Sequence, residues 1–266
     1  MSLLEGLRFT RGDSPLHKLD PRVKFILTMV LFTISIMFFD LIPLLLVFIL
    51  QIPLVIYGKI FREWLKTLKG GIFLALIIFS TNLLSFYLFK GMHLTGDMVE
   101  FSLSLTLRFL TLITSFSLFF LTTSPDKLSL ALEKANVPYE FNFAFITAIR
   151  FVPVLAEEAQ TIMDAQRSRG LELDKGGFLS RIRKYIPILL PLIINSIRRS
   201  LELAEAMESR AFGATKDRTN LYELKMIKSD YTSLIIILTI LSISIYARFF
   251  LPPFPKLISG ILFPGL

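Results

Sequence analysis

Residues 23–39 read VKFILTMVLFTISIMFF and residues 41–57 read LIPLLLVFILQIPLVIY, with Asp40 alone between them. A bilayer core of roughly 30 Å takes about 20 mostly apolar residues as helix, with a range of about 17 to 25. Each stretch qualifies, and each is apolar around its whole circumference rather than along one stripe. With Ile42-Pro43 just beyond Asp40, the second span must begin almost where the first ends, so the two form a tight transmembrane hairpin. Outward from it the same test finds three more spans, Gly71 to Phe89, Phe101 to Leu121 and Thr232 to Leu251. The expected fold class is an all-α polytopic membrane protein with about five transmembrane helices.

Composition supports this reading. Of 266 residues, 53% are hydrophobic, 13% are aromatic with 26 Phe, and only 19% are charged, where soluble domains carry roughly 25% charge. Mean hydropathy is +0.64. The chain has no cysteine, which excludes disulfides, thiol nucleophiles and Cys-ligated metals. The net charge of +8 could suggest nucleic acid, yet its distribution argues for membrane topology. Residues 122–231 hold 16 Lys/Arg and 14 Asp/Glu, so most of the excess lies elsewhere. It sits at residues 1–24 and at 58–70, where Lys59, Arg62, Lys66 and Lys69 face only Glu63.

Short basic loops stay in the cytoplasm, which places residues 1–22 and 58–70 inside, the loops near Asp40 and from Lys90 to Glu100 outside, and the segment after span four inside again. The first 22 residues lack an apolar signal region, so the first span is expected to stay uncleaved. Pro252, Pro253 and Pro255 should stop the last helix, with an interfacial tail to Leu266. Two shorter apolar stretches, Phe141 to Ala156 and Ile186 to Ile197, are read as non-spanning, because their crossing would export Arg167, Arg169, Lys175, Arg181, Arg183 and Lys184. The expected organisation is therefore a four-helix membrane domain over 1–121, a cytoplasmic domain of amphipathic helices over 122–231, and a last span with its tail over 232–266.

In that charged segment Ser124-Pro125-Asp126 reads as a helix start and Asn136 with Pro138 as its stop. A second helix runs from about Phe141 to Arg169, with Pro153 as a kink and Gly170 as its C-cap. Val152, Leu155, Ala159, Ile162 and Gln166 fall on one face, and Glu157, Glu158, Thr161, Asp164 and Ser168 on another. After a turn at Asp174 to Gly177, a third helix runs from about Leu179 to Arg210, broken or bent at Pro187 and Pro191. Its stripe of Ile197, Leu201, Ala204 and Met207 or Ala211 stands opposite Arg199, Glu202, Glu205 and Ser209.

The two long helices end alike. Ala165-Gln166-Arg167-Ser168-Arg169-Gly170 and Ala206-Met207-Glu208-Ser209-Arg210-Ala211 both read Ala-x-x-Ser-Arg-small, 41 residues apart. One reading is capping, an arginine facing the negative end of the helix dipole, worth about 0.3 to 1 kcal/mol. The other is docking, a small residue letting the helix end enter a groove while the guanidinium fork bonds carboxylates or carbonyls. Pattern alone divides these about evenly.

At these residues the chain resembles the transmembrane T component of energy-coupling factor transporters, importers of the ATP-binding-cassette superfamily. The likeness is carried by Ser168-Arg169-Gly170 and Ser209-Arg210-Ala211, by Ser14-Pro15-Leu16-His17-Lys18-Leu19-Asp20-Pro21-Arg22-Val23-Lys24, and by Ser124-Pro125-Asp126 through Val137-Pro138. Ala211 stands where Gly is also common. The resemblance implies a non-catalytic subunit of the prokaryotic cell membrane. Its two cytoplasmic coupling helices would each present an Arg motif to one of two ATPase subunits, and its apolar surfaces would cradle a separate integral-membrane substrate-binding S component for a vitamin or metal. Ser168, Arg169, Gly170, Ser209, Arg210 and Ala211 would dock, supported by Ala165, Gln166, Ala206 and Glu208. No cofactor is expected, and the chain has no G-x-x-x-x-G-K-[ST] phosphate loop, which leaves nucleotide to partners.

The alternatives have less support. A stand-alone secondary transporter or channel would need intramembrane carboxylates, and the five spans contain none. A membrane-embedded enzyme would need converging acids and bases. His17 and His93 lie on opposite expected faces and cannot pair as metal ligands, which leaves His17 a packing residue. Arg108 and Arg248 are expected to serve structure or partners, and Asn82 and Asn195 to act as interhelical glue.

Overall fold

A computed structural model describes residues 14–89, 96–172, 177–214, 224, 226–250, 252 and 255. Lys90, His93, Lys175, Pro253 and most of the C-terminal tail lie outside the described residues. The described elements are all helices: α1 Pro15–Lys18, α2 Pro21–Met37, α3 Leu41–Gly58, α4 Phe61–Phe89, α5 Gly96–Thr122, α6 Pro125–Lys134, α7 Tyr139–Ser168, α8 Phe178–Ser209 and α9 Lys228–Phe250. The starts follow local chemistry. Ser14 caps α1 and Asp20 caps α2, each followed by Pro at the first helical position, where the missing N–H costs nothing. Asn136 adopts the left-handed conformation that ends α6, as its sequence position predicts. Pro153 lies inside α7, and Pro187 and Pro191 inside α8, without breaking either helix.

The chain forms two compact units, Met1–Ala131 with Leu224–Leu266, and Leu132–Glu223. In the first, α5 is the hub, packing against α2, α3 and α4, while α9 packs on α2. Lipid tails are as apolar as leucine, so helices in a bilayer associate through close packing and interhelical hydrogen bonds more than by hiding apolar surface. Helix α5 is built accordingly. Its buried Ser102, Ser104, Thr111, Ser115 and Thr122 each return a hydroxyl bond to the carbonyl four residues back. Gln51 of α3, fully buried, donates to the Thr111 carbonyl at 3.2 Å and to Ser115 Oγ at 2.8 Å, and accepts from Thr114 Oγ1 at 2.7 Å.

The stretch from Ser14 to Lys24 becomes a structural knot. The Asp20 carboxylate accepts from the Arg22 backbone and guanidinium, while the Asp20 backbone N–H donates to Asp230 Oδ1 at 2.9 Å. That joins the starts of α2 and α9. The buried Lys24 ammonium donates to the Thr122 carbonyl at 2.8 Å and the His17 carbonyl at 3.2 Å, so one cation serves the negative C-terminal ends of α5 and α1. His17 is buried with Nδ1 2.6 Å from Ser14 Oγ, the packing role expected of it. Arg108 donates to the Phe38 carbonyl at 2.6 Å and lies over the Phe39 ring at 4.3 Å. It therefore caps the C-terminal end of α2, a structural role that accounts for its position within a span. Asn82 differs from expectation: its amide donates to the Ile78 carbonyl of its own helix.

Five described helices are long and apolar enough to cross a membrane: α3, α4, α5, α7 and α9. The protein is a multi-pass, all-α membrane protein. The number equals that expected, but the membership differs. Helix α2, at 17 residues, stands at the short limit of a spanning helix, and α7 meets the length and apolarity conditions although its best window has the lowest mean hydropathy of the five, 1.3. Helix α4 also begins ten residues before the apolar run, because Arg62, Glu63, Lys66 and Lys69 extend it as a polar first third.

Candidate functional site

Helices α7 and α8 form an antiparallel pair. Tyr139 and Phe143 at the start of α7 meet Phe212 just past the end of α8, with ring centroids 5.9 and 5.1 Å apart. Glu158 meets Asn195 and Arg199 at mid-length, and Gln166 near the end of α7 donates to the Pro187 carbonyl near the start of α8. The two Ala-x-x-Ser-Arg-small segments therefore stand at opposite ends of the pair. Counting rise from the Gln166–Pro187 and Glu158–Asn195 levels, Arg169 and Arg210 are about 39 Å apart along it.

The two ends share one backbone design. In the first, Gly170 N–H donates to the Arg167 carbonyl and Leu171 N–H to the Gln166 carbonyl, at 2.9 and 3.0 Å. In the second, Ala211 N–H donates to the Glu208 carbonyl and Phe212 N–H to the Met207 carbonyl, again at 2.9 and 3.0 Å. Each is a Schellman ending, which requires a left-handed residue just past the helix cap. Gly170 supplies it with φ of 88° and Ala211 with φ of 56°. Gly170 is therefore explained by the backbone turn, as its C-cap reading from sequence expects, whereas Ala211 holds the same turn with a Cβ that disfavours it.

The arginines are not explained that way. Arg169 and Arg210 are the cap residues, and backbone N–H groups already hold the Gln166, Arg167, Met207 and Glu208 carbonyls of the last turns. Among the described residues no hydrogen bond or ion pair engages either guanidinium, and both side chains are exposed. Ser168 and Ser209 turn their hydroxyls back onto the Asp164 and Ala206 carbonyls, keeping clear of the arginines. Ala165, Ala206 and Glu208 are exposed on the same ends, while Gln166 is half-buried against α8. Each end thus presents a fork of five unengaged donors beside a residue with little or no side chain. Such an end suits insertion into a groove lined by carboxylates or carbonyls.

The polar faces turn out to meet across the pair. Glu158 and Arg199, both placed on polar faces by periodicity, face each other across the pair at 3.0 Å, with Asn195 donating to the same carboxylate at 2.7 Å. Asn195 is interhelical glue, as expected. The α8 face turned to its partner accordingly runs through Ile188, Asn195, Arg199, Leu203 and Met207, while Ile182, Ile186, Ile193, Ile197 and Leu201 form an open apolar stripe along the helix. Polarity at single positions hid this, because a charged residue faces inward once an opposite charge stands across from it. The identical 41-residue offset between Glu158 and Arg199 was the available signal.

Against known proteins, the family model for the CbiQ cobalt transport protein matches residues 12–221. The chain is 32% identical over 257 residues to the energy-coupling factor transporter transmembrane protein EcfT of Clostridium kluyveri, covering 91% of this chain and 95% of that protein. It is 32% identical over 264 residues to the EcfT of Streptococcus thermophilus, covering 91% and 97%. The EcfT of Acidaminococcus fermentans is 31% identical over 263 residues.

Proposed function

The chain belongs to the CbiQ family, which includes the EcfT transmembrane subunits of energy-coupling factor transporters, and from that premise we propose that Arg169 and Arg210 dock one each into the two subunits of a partner ATPase dimer. The observation that carries this reading is the pair of like helix ends, each holding an exposed, unengaged arginine at its tip. Each guanidinium would bond carboxylates or backbone carbonyls in a groove of one ATPase, with Gly170 or Ala211 leaving room for the groove wall. The subunit itself performs no chemistry.

The proposed topology places the N-terminus and the segment from 122 to 231 on the cytoplasmic face of the prokaryotic cell membrane, with α7 and α8 outside the bilayer core. Helix α7 is long and apolar enough to cross, but its partner argues against crossing. A spanning α7 would take α8 with it through the contacts at Glu158, and α8 carries Arg198, Arg199, Glu202, Glu205 and Glu208 within three turns, a prohibitive set in lipid. The exposed stripe from Ile182 to Leu201 is then free to support a separate integral-membrane substrate-binding component that carries a vitamin or metal. Closure of the ATPases on ATP would displace the two ends, and the stiff pair would deliver that displacement to the substrate-binding partner.

The decisive experiment is co-purification in mild detergent with ATP-binding-cassette ATPases from the same genome, followed by uptake in the reconstituted transporter. Arg169→Glu combined with Arg210→Glu is expected to abolish both ATPase retention and ATP-driven uptake. Full retention of both would reduce the arginines to helix ends. The absence of native cysteine allows a topology check, because single Cys at 168 and at 209 should both react from the cytoplasmic side only.

A further inference from the structure

Aligning the two Arg motifs places Glu158 of α7 and Arg199 of α8 at equivalent positions, each 11 residues before its terminal arginine. Eleven residues make about three turns, some 16 Å of rise and a return to nearly the same face. In an antiparallel pair of like helices, equivalent positions meet only where the pair's approximate two-fold axis passes. The levels set by Glu158–Asn195 and Gln166–Pro187 put that axis near residues 156 and 197, and the long Arg199 side chain reaches across it to Glu158. Identical charges at such a point would repel. Here a carboxylate accepts from the Arg199 guanidinium at 3.0 Å and from Asn195 Nδ2 at 2.7 Å, with side chains only 18% and 34% exposed. Pro153 precedes Glu158 on α7, and Pro187 and Pro191 precede Arg199 on α8. From the pair to each arginine tip, no proline interrupts the helix.

We propose that Glu158, Arg199 and Asn195 are the fulcrum of this helix pair, positioning residues that hold two equal lever arms in register so that movement of the docked tips is transmitted rather than dissipated. The inference rests on the docking reading above and adds the point about which the tips act. Loss of the ion pair leaves both tips intact three turns away, so ATPases still bind and still hydrolyse ATP. The arms then slide and rotate on one another, and uptake per ATP falls.

The test compares Glu158→Gln, Arg199→Gln and the exchange Glu158→Arg with Arg199→Glu in the assembled transporter in proteoliposomes. Expected are ATPase retention and hydrolysis within about twofold of the parent, uptake per ATP reduced about tenfold in either single variant, inside the range of typical coupling effects, and recovery to within about threefold in the exchange. A second readout needs no partner. Spin labels on cysteines introduced at 168 and 209 of the full chain should give one narrow distance population at about 36 Å along the pair, broadened by either single variant and narrowed again by the exchange. Unchanged uptake per ATP in Glu158→Gln, an unchanged distance distribution, or an exchange no better than the singles would each overturn the fulcrum. If the unmodified chain retains no ATPase, the docking reading falls, and the distance measurement decides the fulcrum by itself.

Discussion

The two arginine-bearing ends share a backbone and differ in what braces it. At the first, Gly170 takes the left-handed position, and polar bonds tie the end to α8: Gln166 to the Pro187 carbonyl at 3.3 Å, and Lys184 Nζ to the Glu172 carbonyl at 2.7 Å. At the second, Ala211 takes that position, and the next residue, Phe212, lies against Tyr139 and Phe143 of α7. One end is permissive in its turn and held by hydrogen bonds at exposed positions. The other is strained in its turn and held by rings. The same local shape is thus reached by two sets of forces, as the proposed docking of both ends would require.

That comparison can be broken most directly at the arginines. If both ends are equivalent ligands, Arg169→Glu and Arg210→Glu singly should each lower ATP-driven uptake by a similar factor. Charge-assisted bonds of this kind contribute roughly 1.5 to 3 kcal/mol each, or about tenfold to over a hundredfold. A loss confined to one variant would show that only one end docks. The next largest effect concerns the brace. Phe212→Ala removes two aromatic pairs worth about 0.5 to 1.5 kcal/mol each, so hydrogen exchange at the residue 212 N–H should speed up about fivefold to a hundredfold. Exchange at the Leu171 N–H, at the other end, should stay as it was. Equal acceleration at both would mean that the ends open together.

How much of this was legible beforehand varies by element, and the variation has physical causes. The apolar runs and the helix starts at Ser124-Pro125-Asp126 were plain, because length, hydropathy and capping act locally. The likeness of the two Arg motifs was also plain. The early start of α4 was hidden, since Arg62, Glu63, Lys66 and Lys69 read as a basic loop when judged by polarity, although nothing in them breaks a helix. Gln51 and Lys24 were hidden too, being single polar groups inside apolar runs whose partners, on α5 and at the His17 carbonyl, are set by tertiary packing. The pairing of Glu158 with Arg199 was hidden because periodicity describes one helix at a time, whereas which face turns to a partner depends on the antiparallel register of two. Gly170 was legible as a C-cap, whereas the left-handed turn at Ala211 became clear only with the backbone angles in hand.

The smallest predicted effect is also the sharpest comparison, because it exchanges the two turn residues. Gly170→Ala adds a Cβ that meets nothing within 4 Å, so its whole cost is the left-handed backbone, about 1 to 2 kcal/mol for an L-residue. Part is returned because alanine has less freedom to lose from the unfolded chain, about 0.4 to 1 kcal/mol. The net is a destabilised turn by about 0.5 to 1 kcal/mol, seen as roughly two- to fivefold faster exchange at the Leu171 N–H. Ala211→Gly reverses every sign and should slow exchange at the Phe212 N–H by a similar factor. Should Ala211→Gly instead loosen that end, the strain at φ of 56° would already be relieved by the Phe212 brace. Combining it with Phe212→Ala would then restore the expected gain.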